Sequence, residues 1–312
     1  MSQKVVYLFA GQGSQYIGMG KDFYETFPES KAIFDKANQS LGFDLTSRCF
    51  NGPQELLKLT NISQPAIFTV TMAAFAAFKA RAGSKADFCA GLSLGEYSAL
   101  AAAGSFTFED GLKLVRRRAE IMNDAALRQP GKMAAVIDLP LDKIKEICLK
   151  SGAEVANMNC PGQTVISGKA EAVAEAKDLF LAAGAKRVIE LEVNGAFHSS
   201  LMFSASAELK QVLDNISVAL PQIPVVSNYT AAPVYRVNQV RENLILQMYS
   251  PVRWEDSMRF LLSEGIKNFI EFGPGKVLKG LMRKIDPSAQ VMSIEKAEDI
   301  LSMSKGGAAD VS

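Results

Sequence analysis

The pentapeptide Gly91-Leu92-Ser93-Leu94-Gly95 follows a short apolar run, Asp87-Phe88-Cys89-Ala90. It precedes residues 96–103, which are rich in helix formers and stopped by Gly104. A G-x-S-x-G sequence between a buried strand and a helix predicts a tight strand-to-helix turn that lifts the serine hydroxyl into the open. A serine hydroxyl is a poor nucleophile at neutral pH and needs an adjacent base, most often histidine. The chain has a single histidine, so a histidine base for Ser93 has to be His198.

At 312 residues, 48% of them apolar, the chain can bury a substantial core as two domains or as one large domain with an insertion. The formal charge of +1 provides no electrostatic footprint for nucleic acid or for an anionic membrane surface. Cys49, Cys89, Cys148 and Cys160 form no C-x-x-C pair, and one histidine cannot supply a His/Cys zinc cluster. Reduced, buried thiols in a cytoplasmic protein are the expectation. The longest apolar stretch, residues 66–78, is too short to span a bilayer, and the N-terminus lacks a signal-peptide pattern. No interface pattern stands out, so a monomer is expected.

Val5-Val6-Tyr7-Leu8-Phe9 reads as a buried strand running into Ala10-Gly11-Gln12-Gly13-Ser14-Gln15. A dinucleotide loop would need glycine where Tyr16 stands, and no phosphate-binding G-K-[ST] follows. The other use for such a loop is to present backbone and amide donors at a strand end. Residues 64–82 read as a largely buried helix. Thr107 can cap a second helix running to about residue 127, with Glu109 and Asp110 in its first turn. On that helix Gly111, Leu114, Val115, Ile121, Met122 and Ala125 share one face, and Arg118 sits in the middle of it. A guanidinium there needs an anionic partner, either an internal carboxylate or a bound anion. Arg116 and Arg117 point elsewhere and are expected to be solvated.

Residues 132–193 read as strand, helix, two strands joined by Cys160-Pro161-Gly162-Gln163, helix and strand. The order β-α-β-β-α-β is that of a ferredoxin-like unit. It lies between Ser93 and His198, as an insertion in a larger α/β domain. The expected division is residues 1–130 and 197–312 for a large, α/β-hydrolase-like domain with a mostly parallel sheet, and 131–196 for the small one. After His198, strands are expected near residues 225–227, 268–272 and 291–294, with a helix at 201–213 and another ending at Ile285. The tail from Lys305 is expected to fray.

Taken together the motifs resemble the malonyl-CoA:acyl-carrier-protein transacylases of type II fatty acid synthesis, over residues 5 to 294. The resemblance rests on the loop at residues 9–15, Gln64-Pro65-Ala66, the pentapeptide with Glu96, and the arginine helix around residues 115–122. It extends to the hairpin at 159–168, Gly195-Ala196-Phe197-His198, Ser250-Pro251-Val252-Arg253-Trp254, and residues 271–278. It implies an acyltransferase with Ser93 as nucleophile and His198 as base. Gln12 and the N–H of Leu94 would form the oxyanion hole, and Arg118 would pair with the malonyl carboxylate. Gln64 would border the acyl pocket. Phe197 resembles the malonyl-selective form of its motif, and the main-chain carbonyl of Arg253 would orient His198. The implied partners are malonyl-CoA and acyl carrier protein, with no metal and no cofactor of the enzyme's own. One departure is Leu92, where the family usually has histidine.

Two other features bear on function. A serine hydrolase of α/β-hydrolase type would need an acid between Ser93 and His198, and Glu190 and Glu192 lie there, but on a strand of the inserted unit. Lys276, Lys279, Arg283 and Lys284 cluster on the last long helix, either as a solvated face or as a dock for an acidic carrier protein.

Overall fold

The apolar run Val5–Phe9 forms β1 at the centre of a five-stranded parallel sheet. The computed structural model describes residues 4–82, 85–193 and 195–306. β2 (Phe88–Gly91) lies on one side of β1, with Phe9 opposite Gly91. Two sheets share the remaining strands. The small sheet holds β3 (Lys132–Ile137), β4 (Glu154–Cys160), β5 (Gln163–Gly168) and β6 (Arg187–Glu190). The large sheet adds β7 (Val225–Val226), β8 (Asn268–Phe272) and β9 (Gln290–Ile294). Its order is β7-β2-β1-β8-β9, all parallel. Helices cover both faces of such a sheet, which is why β1 reads as a continuous apolar run without alternation.

The small sheet is antiparallel in the order β4-β5-β3-β6, the ferredoxin-like arrangement expected from the element order. Its strands do alternate. Ala134 and Val136 of β3 pack with Ile144, Ile147 and Phe180 from the two helices Leu141–Ser151 and Ala170–Ala182. Met133 and Ala135 face the other way, toward the large sheet's side of the molecule. β4 is stitched to the segment that leads into the helix Trp254–Ser263 by main-chain bonds from Met158 N to Val252 O (2.9 Å) and from Val252 N to Ala156 O (2.8 Å).

Several bounds differ from expectation. The helix expected at residues 64–82 is Thr60–Ala82 and carries Pro65 inside it. It is long and apolar enough to cross a membrane, but 89% of its apolar window is buried inside the fold. β6 ends at Glu190, and Leu191 and Val193 leave the sheet to line the cleft described below. The helix expected at 201–213 splits into a 3₁₀ turn, Ser200–Met202, and an α-helix, Phe203–Asp214. Lys305 and Gly306 close the helix Ala297–Gly306, and the rest of the tail lies outside the described residues.

Candidate active site

The carboxyl ends of β1, β2 and β7 point to one place, the usual position for a ligand in an open parallel sheet. β2 runs directly into Ser93, which takes φ 52° and ψ −102° as N-cap of the helix Leu94–Ala102. A side chain at Gly91 would put its Cβ 2.0 Å from the Gly95 carbonyl, and one at Gly95 would lie 2.1 Å from Phe9 O. Both glycines are required by the close crossing of strand, turn and helix, and the strained serine between them is held up into the cleft.

Ser93 Oγ lies 2.8 Å from His198 Nε2. His198 Nδ1 lies 2.8 Å from the main-chain carbonyl of Gln247. A carbonyl only accepts, so Nδ1 carries the proton and Nε2 offers its lone pair to the serine hydroxyl. The orienting carbonyl is therefore that of Gln247, not that of Arg253. Gln247 ends the helix Val237–Gln247, and the last carbonyls of a helix have no intrahelical partner. The Arg253 carbonyl instead accepts from Ser257 N and Oγ at 3.0 and 2.8 Å, and its side chain pairs with Asp256. His198 is 4% exposed, and burial, reinforced by the nearby Arg118 cation, pulls its pKa down to about 4.

The helix Phe108–Arg128 is capped by Thr107, whose Oγ1 accepts from Asp110 N at 3.1 Å. The face named from its periodicity is buried, Arg118 included at 1% exposure, while Arg116 and Arg117 reach out to Glu120. Arg118 donates to Gln64 Oε1 (2.8 Å), Gln247 Oε1 (3.2 Å) and Ser93 Oγ (3.2 Å). All three acceptors are neutral. Among the described residues Arg118 has no carboxylate within ion-pair distance, and its Nε has no hydrogen-bond partner. Burial lowers the guanidinium's pKa. The internal ion pair considered from the sequence is absent, and a buried cation faces the nucleophile with donor capacity to spare.

Gln64 Nε2 reaches Gln12 Oε1 at 3.3 Å, and Gln12 Nε2 reaches Thr60 Oγ1 at 3.4 Å. The Gln12 side chain is thus engaged beside the cleft, leaving its main chain as the source of a donor. Leu94 is the first residue of its helix, where an N–H has no intrahelical acceptor. The cleft holds about 580 Å³ and runs between the two sheets. Gln12, Ser93, His198 and Phe197 line it together with Asn157 and Val165 of the small sheet. Leu92 adds an apolar wall and packs against the buried core that includes Leu8, Ala90 and Trp254.

Asn228 and Gln247 carry no mark in the motif reading, and Glu96 enters it only as the residue that follows the pentapeptide, with no role assigned. Asn228 follows β7 and clamps the serine turn, accepting from Ser93 N at 2.6 Å and donating to Gly91 O at 2.7 Å. A polar residue just past a parallel strand was the available signal. Gln247 lies three residues before the Ser250-Pro251 motif, and a helix-terminal carbonyl leaves no trace in side-chain type. Glu96, fully buried, binds both of them. The hydrolase acids do not reach His198. Glu190 pairs with Lys132, and Glu192 with Lys58 at 2.6 Å.

Residues 6–309 match the acyl transferase domain family. A malonyl CoA-acyl carrier protein transacylase of Bacillus subtilis is 45% identical over 302 residues, covering 95% of each chain. The chain belongs to the malonyl-CoA:acyl-carrier-protein transacylase family. Among solved transacylases, the Streptococcus pneumoniae structure superposes with a TM-score of 0.91 at 40% identity, covering 97% of this chain and 100% of that one. A malonyl-transacylase solved in complex with a type II PKS acyl-carrier protein superposes with a TM-score of 0.94 at 34% identity, covering 97% and 100%. In the present chain the basic residues Lys276, Lys279, Arg283 and Lys284 are exposed around the helix Val277–Ile285, and Val277 itself lines the cleft.

Proposed function

We propose that this chain transfers the malonyl group of malonyl-CoA to the phosphopantetheine thiol of acyl carrier protein, supplying elongation units for fatty acid biosynthesis. The observation that carries the acyl preference is the unpaired, buried Arg118 guanidinium 3.2 Å from Ser93 Oγ. A carboxylate two carbons from a thioester carbonyl can bind there bidentately, which orients the carbonyl over Ser93. An uncharged acyl group leaves that cation unpaired, so acetyl-CoA is disfavoured.

The reaction runs in two halves. His198 Nε2 takes the proton of the Ser93 hydroxyl as Oγ attacks the thioester carbonyl. The oxyanion is held by the main-chain N–H groups of Leu94 and Gln12, each donor worth about 3 kcal/mol in comparable sites. The carbon–sulfur bond breaks, CoA leaves with the proton from His198, and a malonyl ester remains on Ser93. In the second half His198 removes the proton from the carrier thiol, sulfur attacks the ester, and Ser93 leaves reprotonated. Gln247 holds the imidazole in place through both halves. Phe197 narrows the pocket against branched acyl groups. The protein is taken to act as a cytoplasmic monomer, without a resident cofactor or metal and without contact to membrane or nucleic acid.

Intact-mass spectrometry after brief mixing with malonyl-CoA, acetyl-CoA or methylmalonyl-CoA tests the scheme. A malonyl adduct on Ser93, absent in Ser93→Ala and scarce from the other two donors, is expected. Malonyl label retained by Ser93→Ala would remove the serine from its role. Free malonate in place of malonyl-carrier would favour a hydrolase.

A further inference from the structure

Glu96 lies three residues after the nucleophile and is 2% exposed, yet the reaction just described leaves it no part. Its Oε2 accepts from Gln247 Nε2 at 2.7 Å and from Asn228 N at 3.1 Å. Both donors belong to residues that hold reacting groups. Gln247 binds His198 through its main-chain carbonyl, Arg118 through its Oε1, and the Ser93 carbonyl through Nε2 at 3.1 Å. Asn228 clamps Ser93 and Gly91.

A glutamine amide has one accepting end and one donating end. Gln247 can serve Arg118 only with Oε1 turned toward the guanidinium, which turns its NH₂ toward Glu96. The flipped amide would set NH₂ against a cation and leave the Glu96 oxygen facing another oxygen. We infer that Glu96 is a positioning residue: one oxygen, by accepting from Gln247 and Asn228 together, fixes the Gln247 amide and thereby the places of Arg118, His198 and the Ser93 turn. The inference rests on the acyl transfer proposed above and assigns Glu96 no contact with substrate.

This role needs an acceptor oxygen at the right reach, not a negative charge. Burial pushes the Glu96 acid up to about 7, against opposing hydrogen bonds from Asn228, Gln247 and Ser227 and the Arg118 cation, so a proton on the second oxygen is accessible near neutrality. Reach and charge can be separated. Glu96→Gln keeps an oxygen at the same distance and removes the charge. Glu96→Asp keeps the charge and withdraws the oxygen by one methylene, roughly 1.5 Å. Displacements of about 1 Å in a catalytic array can cost on the order of a hundredfold in rate.

The test measures malonyl transfer to holo-carrier protein by wild type, Glu96→Gln and Glu96→Asp, with thermal melts to verify folding. Glu96→Gln is expected to stay within about threefold of wild type in kcat and KM. Glu96→Asp is expected to lose about tenfold or more in kcat, with a raised KM for malonyl-CoA. His198 is the only histidine, so its Nδ1 proton provides one imidazole N–H signal for the bond to Gln247. That signal should keep its position in Glu96→Gln and move or broaden in Glu96→Asp. A folded but inactive Glu96→Gln overturns the inference by itself. Equal loss in both variants, no loss in either, or the reverse order overturns it as well. An inactive wild type would refute the acyl transfer and leave the His198 signal to decide on Glu96 separately.

Discussion

Lowering the pH tests the geometry around His198 directly. Burial, reinforced by the Arg118 cation, brings the imidazole from the ordinary 6.5 to about 4, against an opposing contribution from the Gln247 carbonyl. The base works only when neutral, and it is neutral above its pKa. At about pH 5.5 an ordinary histidine would be neutral in roughly one molecule in ten, whereas one titrating near 4 is almost wholly neutral. The rate of Ser93 labelling by a fluorophosphonate, which needs no carboxylate clamp, should therefore stay flat on acidification to about pH 5 and halve near pH 4. Arg118→Met removes one of the two causes, so its midpoint should move upward. A wild-type midpoint at the ordinary histidine value, or no movement in Arg118→Met, would refute the reasoning. No second inflection from Glu96 is expected, because its accepting oxygen serves Gln247 and Asn228 with or without a proton. Stability follows a different balance. His198, lowered in the fold, loses stability as pH falls from 6.5 toward about 4, while Glu96, raised to about 7, gains it as pH falls from about 7 toward 4.5. The two oppose each other over most of that window.

Arg118→Ala should cut kcat/KM for malonyl-CoA by about two to nearly four orders of magnitude, since losing one partner of a buried ion pair costs about 3–5 kcal/mol. Acetyl transfer should fall far less, and equal losses in a paired assay would return Arg118 to a structural role. Reversing charge at Lys279 and Arg283 should raise KM for carrier protein several-fold at about 0.1 M salt, with KM for malonyl-CoA unchanged. An unchanged carrier KM in steady-state titration would dismiss that helix as the dock.

The residues legible from sequence are those whose chemistry is local. Gly91 and Gly95 flank the serine because only glycine fits where β2, the turn and the next helix cross, so the pentapeptide announces its own geometry. Arg118 was legible because helical periodicity places it among Leu114, Val115, Ile121 and Met122, where a cation is anomalous. The order of elements between residues 132 and 190 was enough to foretell the ferredoxin-like sheet, since short connections leave few ways to pair such strands. His198 followed from being the only histidine.

Tertiary structure alone decided who holds these residues. The main-chain carbonyl of one residue looks like that of any other to a hydrogen-bonding imidazole, so nothing in the order of residues separates the Gln247 carbonyl from that of Arg253, six positions on. Which one is free depends on where the helix Val237–Gln247 ends and how it packs against the helix Phe203–Asp214. Glu96, Asn228 and Gln247 meet across more than 130 residues of chain, and their bonds exist only once the large sheet has set β2 beside β7. Whether Arg118 had an internal carboxylate or an empty place was likewise a matter of packing. Periodicity buries the guanidinium, but only the folded neighbourhood shows that each acceptor around it is neutral.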